Sequence, residues 1–330
     1  MTDTLPSYSQ LRDFPSSNYN NLDDIFENCF KYENTYRPVS VPIATRHGAK
    51  KYQRAGVFLL NKTVLQKSIQ LIGSTCFPGF WSFSGVEWDS FVDSKPAVLD
   101  KCKVTVGVTW EPPKTTPFVE GEPFMVLPLK EEWKTMEDYA NALKKKYRAR
   151  YRKAKALLDD LTVHEVKDMK DSQCLHCSNM WQTALKGKMV ALPKDLTHVF
   201  EWSKQLFGDR FTALMFEKDG EQIGFITLLK EGDKVFAMHI GCDHEDRFKG
   251  GYYSVFMYRA IQWAIDNGAN SINLGRTAVE IKSTYGAVPI QNYFAIYAKS
   301  KTINAMAKQF VKKHTNPTFE LRSPFKQPPS

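Results

Sequence analysis

The sequence predicts a mixed α/β fold, and three features of its second half indicate it. Residues 135–161 carry apolar side chains at three- and four-residue steps, the period of an amphipathic helix. Three short apolar runs then follow, separated by Asp/Gly turn pairs, as in an antiparallel meander. These runs are 211–217, 222–230 and 234–242. A helical stretch at 252–266 and a short strand at 271–274 come next, so helices and strands alternate as they do in an α/β domain.

Length and composition describe a chain that can bury a large core. Its 330 residues exceed the usual length of one compact domain, so two units or one enlarged unit are expected. The six cysteines are scattered, which suits reduced thiols, and no apolar run reaches the roughly 18 to 20 residues of a membrane span. We therefore expect a cytoplasmic protein without a transmembrane segment. The net charge of +9 favours acidic partners.

Periodicity and turn residues predict four segments along the chain. They are a loose N-terminal arm (1–36), a small α/β half (37–125), a larger α/β domain (126–300) and a basic C-terminal tail (301–330). The boundary near residue 125 comes at the end of a proline-rich stretch that includes Pro112-Pro113. Such a stretch predicts a rigid, turn-rich connection between units.

The helix predicted at 135–161 combines an apolar stripe with a basic surface. Thr135 and Asp138 give it a capping-box pattern at its start. The run 144–155 within it has eight cations and no acid, and its two tyrosines fall on the apolar stripe. We therefore expect Tyr147 and Tyr151 in the core and the cations in solvent. There the cations would meet an acyl-carrier protein, a tRNA acceptor or anionic lipid headgroups.

A phosphate-binding loop is predicted directly before the helix at 252–266. Arg247 and Lys249 supply two cations, and Gly250 and Gly251 let the backbone approach an anion closely. The helix that opens at Tyr252 offers N–H groups and the positive end of its dipole. A pyrophosphate would fit here, and a charged surface turn is the alternative interpretation.

This loop resembles the strand–loop–helix element of the GNAT acyltransferases. In that element Gln or Arg, two residues, Gly, one residue and then Gly or Ala cradle the pyrophosphate of CoA. Arg247 and Gly250 match the pattern, whereas Tyr252 stands at the position of the small residue. The resemblance implies a GNAT fold and acetyl-CoA or another acyl-CoA as co-substrate.

A second distinctive stretch spans residues 274–287. It resembles the strand-to-helix segment of the GNAT-like branch related to the Fem-type peptidoglycan aminoacyltransferases, in which Gly-Arg and Lys-x-x-x-Gly elements line the cleft. The resemblance covers roughly residues 125–300. Residues 37–129 would then be the degenerate first half of a tandem arrangement.

The side chains of this stretch admit two interpretations. Arg276 and Lys282 lie at the end of a predicted strand, where two cations suit an acidic ligand, and with Glu280 they are the candidate substrate-binding residues. The simpler interpretation makes Thr277 and Glu280 a capping box and pairs the two cations with carboxylates.

Acyl transfer from a thioester needs a donor for the oxyanion and a base for the amine. In the GNAT superfamily two central strands splay and free a backbone N–H, which by resemblance falls here between Met238 and Ile240. His239 on the same strand is the candidate base, and a packed histidine is the alternative. Tyr285 is the candidate acid for the leaving thiolate by position, and a core aromatic residue is the alternative.

These features leave three functions open. The first is an acyl-CoA-dependent N-acyltransferase acting on a small-molecule or peptide amine. The second is a Fem-type transferase that uses aminoacyl-tRNA, and the third is a non-catalytic binding module. Cys174 and Cys177 lack a second pair of ligands at zinc spacing, so no metal is expected.

Overall fold

The computed structural model describes residues 36–44, 50–59, 69–72, 85–93, 104–185, 197, 199, 200, 203, 207–244, 247, 250–315 and 319–326, with the first three ranges described for the backbone alone. The chain divides into two compact units. Unit 1 comprises Met1–Pro123, Gly187–Pro193 and Gln291–Thr318. Unit 2 comprises Phe124–Lys186, Lys194–Ile290 and Phe319–Ser330.

The strands and helices are numbered in chain order. Those up to the first unit boundary are β1 (Tyr36–Ala44), β2 (Lys50–Leu59), β3 (Ile69–Ile72), α1 (Gly85–Asp93), β4 (Val104–Thr109) and β5 (Phe118–Glu120). Next come β6 (Phe124–Pro128), α2 (Met136–Ala142), α3 (Lys145–Asp159), β7 (Thr162–Val166), α4 (Asp171–Leu185), β8 (Phe211–Lys218), β9 (Glu221–Glu231) and β10 (Lys234–Cys242). The last are α5 (Tyr252–Asp266), β11 (Ser271–Asn273), α6 (Val279–Ser283), β12 (Val288–Ile290), β13 (Tyr293–Tyr297) and α7 (Lys301–Thr315).

Unit 1 is built on a six-stranded mixed sheet. Its strand order is β1-β2-β3-β4-β13-β5, and β3 and β4 form its parallel pair. Val106 of β4 and Ile296 of β13 pack with Ala307 of α7 in one apolar cluster. The strand β13 therefore belongs to unit 1, although periodicity and turn residues predict residues 126–300 as a single domain.

Unit 2 is built on a seven-stranded mixed sheet with the order β12-β6-β11-β10-β9-β8-β7. The predicted meander is confirmed, since β8, β9 and β10 pair antiparallel in sequence. The strand β11 joins them in parallel to β10. The two mixed sheets confirm the mixed α/β fold class that the sequence predicts.

Helices cover both faces of the sheet of unit 2. Phe256 of α5 stacks on Phe216 of β8 at 4.2 Å and fills the space beside Gly224. On the opposite face, the backbone of Met180 in α4 lies against Gly241 of β10. Glycine is required at Gly224 and Gly241 because a Cβ there would come within 2.3 and 2.5 Å of a neighbouring ring.

The predicted helix at 135–161 is interrupted. Its capping box is present, with Thr135 Oγ1 accepting from the Asp138 N–H at 3.2 Å. The helix α2 ends at Ala142, however, and α3 begins at Lys145, because Leu143 and Lys144 adopt extended backbone conformations. At the break, the backbone bonds to a distant segment: Lys144 N donates to the Pro324 carbonyl at 2.8 Å.

Residues 301–330, predicted to be a basic tail, are divided between the two units. Lys301–Thr315 forms α7 in unit 1. Residues 319–326 belong to unit 2 and form no helix there, and Phe319 and Phe325 pack against its main apolar cluster. Within the described part of the chain, none of the helices has the length and apolar composition needed to cross a membrane.

Candidate functional site

A gap opens in the sheet of unit 2 between the two parallel strands. The strand β11 pairs with β10 only from Lys234 to Phe236, and β10 continues to Cys242. Among the described strands, no other one pairs with that side of β10 beyond Phe236. The exposed side of a strand presents backbone N–H and C=O groups, so this gap can bind a polar substrate through the main chain.

The strand β10 is also irregular at the gap. Its register against β9 shifts between Ala237 and Ile240, so that Met238 and His239 lie opposite Thr227 alone. The Thr227 hydroxyl accepts from His239 N at 3.0 Å and hydrogen-bonds the His239 Nδ1 at 2.8 Å. This bulge lies where the family resemblance predicts an oxyanion-binding N–H, between Met238 and Ile240.

His239 occupies a closed aromatic environment. Its side chain is 2% exposed, and its ring lies 4.5 Å from that of Trp181 and 5.3 Å from that of Phe200. Because it packs on the α4 face and bonds Thr227, the geometry favours the packed alternative over a base in contact with substrate.

The predicted phosphate loop leads into α5 through a glycine in the left-handed region. Gly251 is the N-cap of α5, with φ of 103°, a conformation that favours glycine. Arg247 lies 5.9 Å over the Tyr252 ring and donates to Asp243 Oδ1 at 2.5 Å. That hydrogen bond raises the pKa of Arg247, so the guanidinium remains charged. Gly250 is exposed, and Lys249 lies outside the described residues.

The basic helix α3 flanks this loop. Tyr151 of α3 packs on Tyr258 of α5 at 5.2 Å, and a Leu157 methyl lies 3.5 Å from the Cβ position of Gly251. The two helices are therefore antiparallel, and the C-terminal half of α3 lies beside the first turn of α5. As predicted, Tyr147 and Tyr151 are buried.

The cations of α3 form a solvated face. The exposed ones are Lys144, Lys145, Lys146, Arg150, Arg152, Lys153 and Lys155, and Arg148 is half-buried. Lys155 pairs with Asp159 at 3.2 Å, and within the described part of the chain the other cations form no ion pair. We name these eight side chains the α3 basic face.

The connection from β11 to α6 has a strained backbone. Gly275, Thr277 and Ala278 all have positive φ, at 79°, 64° and 50°. Two non-glycine residues in the left-handed region cost roughly 1 to 2 kcal/mol each, and such strain clusters at functional sites. The Arg276 guanidinium between them lies 5.6 Å from the Phe124 ring centre.

Lys282 is a buried cation at the gap. Its side chain is 3% exposed, and its Nζ donates to the Arg276 carbonyl at 2.6 Å. Nζ and the Ala237 carbonyl oxygen lie 3.8 and 3.9 Å from the Cβ position of Gly275. The ammonium group therefore lies close to Ala237, the residue of β10 that follows the end of its pairing with β11. A cation buried in this way is costly unless it serves a structural or chemical purpose.

The capping box proposed for Thr277 and Glu280 is absent. The helix α6 begins at Val279, and its N-cap, Ala278, makes no side-chain cap hydrogen bond. With Thr277 and Ala278 in the left-handed conformation, the N-cap is Ala278 rather than Thr277, a shift of one residue that removes the spacing a capping box needs. Glu280 Oε1 instead accepts from the Glu320 N–H at 3.1 Å.

Tyr285 links α6 to the first turn of α5 from within the core. Its side chain is 1% exposed, and its hydroxyl hydrogen-bonds Ser254 Oγ at 2.9 Å. Tyr139 donates to the Tyr285 carbonyl at 2.8 Å. Burial raises the pKa of Tyr285 to about 12, so the phenol keeps its proton at neutral pH. A proton that leaves the Tyr285 hydroxyl along this hydrogen bond would pass to Ser254.

Two residues of this region were not found by sequence reasoning. Ser254 lies in the first turn of α5 and Thr227 closes the bulge of β10, and neither belongs to a motif. Their roles arise from pairing across the sheet and between helices, which leaves no local pattern.

The cysteines of α4 are inert core residues. Cys174 and Cys177 are fully buried, and burial raises the pKa of the Cys177 thiol, which therefore stays protonated. Among the described side chains, no group of three or more metal-ligand residues comes together.

Comparison with protein families identifies the chain. Residues 127–326, more than half of the 330, match the family model FemAB-like, described as peptidoglycan biosynthesis/recognition. The chain belongs to the FemAB-like family. Membership supports a transfer enzyme of the acyltransferase class. No curated protein sequence matches this FemAB-like chain.

Solved structures similar to this FemAB-like chain include FemX, L-PGS from Bacillus licheniformis and a tandem GNAT protein from the clavulanic acid biosynthesis pathway. FemX is 11% identical, with a TM-score of 0.46 over 86% of this chain and 92% of its own. L-PGS is 12% identical, with a TM-score of 0.47 over 88% and 96%. The tandem GNAT protein is 8% identical, with a TM-score of 0.43 over 78% and 81%.

Proposed function

We propose that this FemAB-like chain is an acyl-CoA-dependent N-acyltransferase acting on a small-molecule or peptide amine. One observation carries the proposal: the buried ammonium of Lys282 lies at the gap beside β10, and the helix that follows β10 in the chain, α5, opens at a glycine N-cap, Gly251. A thioester with a phosphate-bearing handle matches both features. The family description, peptidoglycan biosynthesis/recognition, favours a peptide amine as acceptor.

Each element has a role in this proposal. Arg247 and the N–H groups that open α5 at Gly251 would hold the pyrophosphate, because cations and a helix start both favour anions. The thioester supplies the acyl group, and a backbone N–H of the β10 bulge would stabilise charge on its carbonyl oxygen. Lys282 and Arg276 would bind an anionic group of the acceptor, or would stabilise the negative charge that develops on the reacting carbonyl oxygen.

Proton transfer would use the hydroxyl pair at the first turn of α5. The attacking amine loses a proton as the new C–N bond forms, and the C–S bond breaks to leave a thiolate. Ser254, replenished by Tyr285 at 2.9 Å, would return a proton to that sulfur. The packed environment of His239 leaves water, rather than this imidazole, to accept the proton of the amine and carry it to solvent.

Binding of CoA tests the proposal. At a hundredfold excess over Kd, acetyl-CoA is expected to add about 2.7 kcal/mol to the free energy of unfolding, measured as a thermal shift. The double variant Arg247→Ala/Gly250→Asp is expected to abolish the shift, because it removes a cation and places a carboxylate beside the phosphates.

Gly232→Asp is the matched control. It adds the same charge at an open turn beyond the opposite end of β10, so it is expected to keep the full shift. Absence of a shift with CoA, acetyl-CoA and longer acyl-CoAs would contradict the CoA proposal.

The α3 basic face favours a second candidate, transfer from aminoacyl-tRNA. Its cations are solvated and next to the same phosphate loop, as an RNA backbone would require. We expect tRNA affinity to fall steeply with salt. The triple variant Lys145→Gln/Arg152→Gln/Lys153→Gln should then reduce the slope of log affinity against log salt by about 2 to 3.

Three lysines outside the basic face provide the control for this experiment. Replacing Lys167, Lys170 and Lys218 by Gln removes the same charge from other surfaces and should leave the slope unchanged. Failure to retain tRNA even at low salt would exclude the tRNA donor and leave acyl-CoA as the donor to test.

A further inference from the structure

The segment 319–326, here called the C-terminal strap, contacts two parts of unit 2. Its C-terminal end hydrogen-bonds the backbone at the break between α2 and α3. The Pro324 carbonyl accepts from Lys144 N at 2.8 Å, and Lys326 N donates to the Ala142 carbonyl at 3.0 Å. Phe325 anchors it, with its ring 5.0 Å from Trp133 and 5.8 Å from Tyr139.

The same strap holds α6 from outside. Glu320 N donates to Glu280 Oε1 at 3.1 Å, and Arg322 N donates to Ser283 Oγ at 2.9 Å. Ser283 Oγ in turn donates to the Glu280 carbonyl at 2.7 Å. Glu280 and Ser283, which lie on either side of Lys282 in the chain, are therefore bonded directly to the strap.

The helix α6 depends on such support. It has five residues, its N-cap has no side-chain hydrogen bond, and it is entered through the left-handed residues Thr277 and Ala278. A helix this short is unstable by itself, because nucleation costs more than a single turn returns. Tertiary contacts must hold it, and among the described residues the strap provides two hydrogen bonds to it.

We propose that the C-terminal strap is the positioning element for Lys282. Glu280, Ser283 and Phe325 are positioning residues: they fix α6 so that Lys282 Nζ remains buried at the β10–β11 gap, bonded to the Arg276 carbonyl. The importance of that position rests on the proposed function. The positioning itself does not, so the two can fail separately.

Lysine labelling of the full chain tests the positioning without any substrate. Reductive methylation followed by peptide mass spectrometry measures the reactivity of Lys282 relative to that of exposed Lys167. Glu280→Ala removes the acceptor for Glu320 N and is expected to raise the labelling rate of Lys282 about fivefold. Glu280→Gln keeps an Oε1 acceptor and is expected to label like the original chain.

Phe325→Ala gives the larger effect. Loss of the anchoring ring is expected to raise Lys282 labelling more than about tenfold, with faster hydrogen exchange confined to residues 279–286 and 141–147. Leu228→Ala is the control for general destabilisation, because Leu228 is fully buried in β9 and belongs to the same apolar cluster. It should raise exchange across unit 2 without singling out α6.

Two results would overturn the proposal. One is a folded Phe325→Ala variant in which Lys282 labelling and exchange at 279–286 are unchanged. The other, decisive if Phe325→Ala does not fold, is equal Lys282 labelling in Glu280→Ala and Glu280→Gln. Strap-dependent labelling in a chain that binds neither CoA nor tRNA would contradict the proposed function and leave the positioning intact.

Discussion

Replacing Lys282 by methionine is expected to lower the rate of acyl transfer about 100-fold or more, the usual cost of removing a preorganised charge from a reacting carbonyl. Stability should fall by no more than about 1 kcal/mol, because the loss of the contacts of Lys282, among them its hydrogen bond to Arg276, is offset by removal of a buried ammonium. The measurement is thioester consumption with a panel of amines or, for the second donor, deacylation of aminoacyl-tRNA, alongside urea unfolding.

Two further variants define what this result means. Lys282→Arg should not restore the rate, since the larger guanidinium does not fit a site in which the lysine is 3% exposed. Lys167→Met removes one exposed cation from unit 2 and should leave the rate unchanged. A Lys282→Met variant with the full rate would exclude Lys282 from the reaction.

Gly286→Ala is expected to cost about 3 kcal/mol or more of unfolding free energy. Gly286 has φ of 93°, which disfavours any residue with a Cβ, and that Cβ would lie 2.1 Å from the Phe325 ring. Urea unfolding of unit 2 measures the loss, provided that the two units are followed by separate probes.

Gly268→Ala separates the two causes. Gly268 also has positive φ, at 67°, but nothing lies within 4 Å of its Cβ position, so its replacement should cost only about 1 kcal/mol. In a double-mutant cycle, Phe325→Leu should recover part of the Gly286→Ala loss. Equal losses of unfolding free energy at Gly286 and Gly268 would show that contact between the new Cβ and the Phe325 ring does not destabilise the protein.

Local sequence signals predicted much of unit 2. The helix Tyr252–Asp266 and the meander of β8, β9 and β10 were confirmed. Both could be predicted because helical periodicity and Asp/Gly turns depend on residues that are close in sequence. The burial of Tyr147 and Tyr151 followed from the same periodicity. The family resemblance at residues 274–287 was confirmed by the match to residues 127–326.

Other features had no local signal. The break at Leu143 and Lys144 is imposed by Phe325 and Pro324, far along the chain, and a continuous apolar stripe gives no hint of it. The position of β13 in the sheet of unit 1 has no local signal for a similar reason: its partners β4 and β5 lie more than 170 residues away in sequence.

The sequence alone determined which segments of unit 2 form helices and strands, and which loop carries the cations and glycines before α5. The tertiary structure decided what those residues do. Sheet register opens the gap beside β10, packing of Trp181 and Phe200 encloses His239, and tertiary contacts of α6 bury Lys282. Long-range contacts of this kind, unlike helical periodicity, are set by partners that the local chain does not contain.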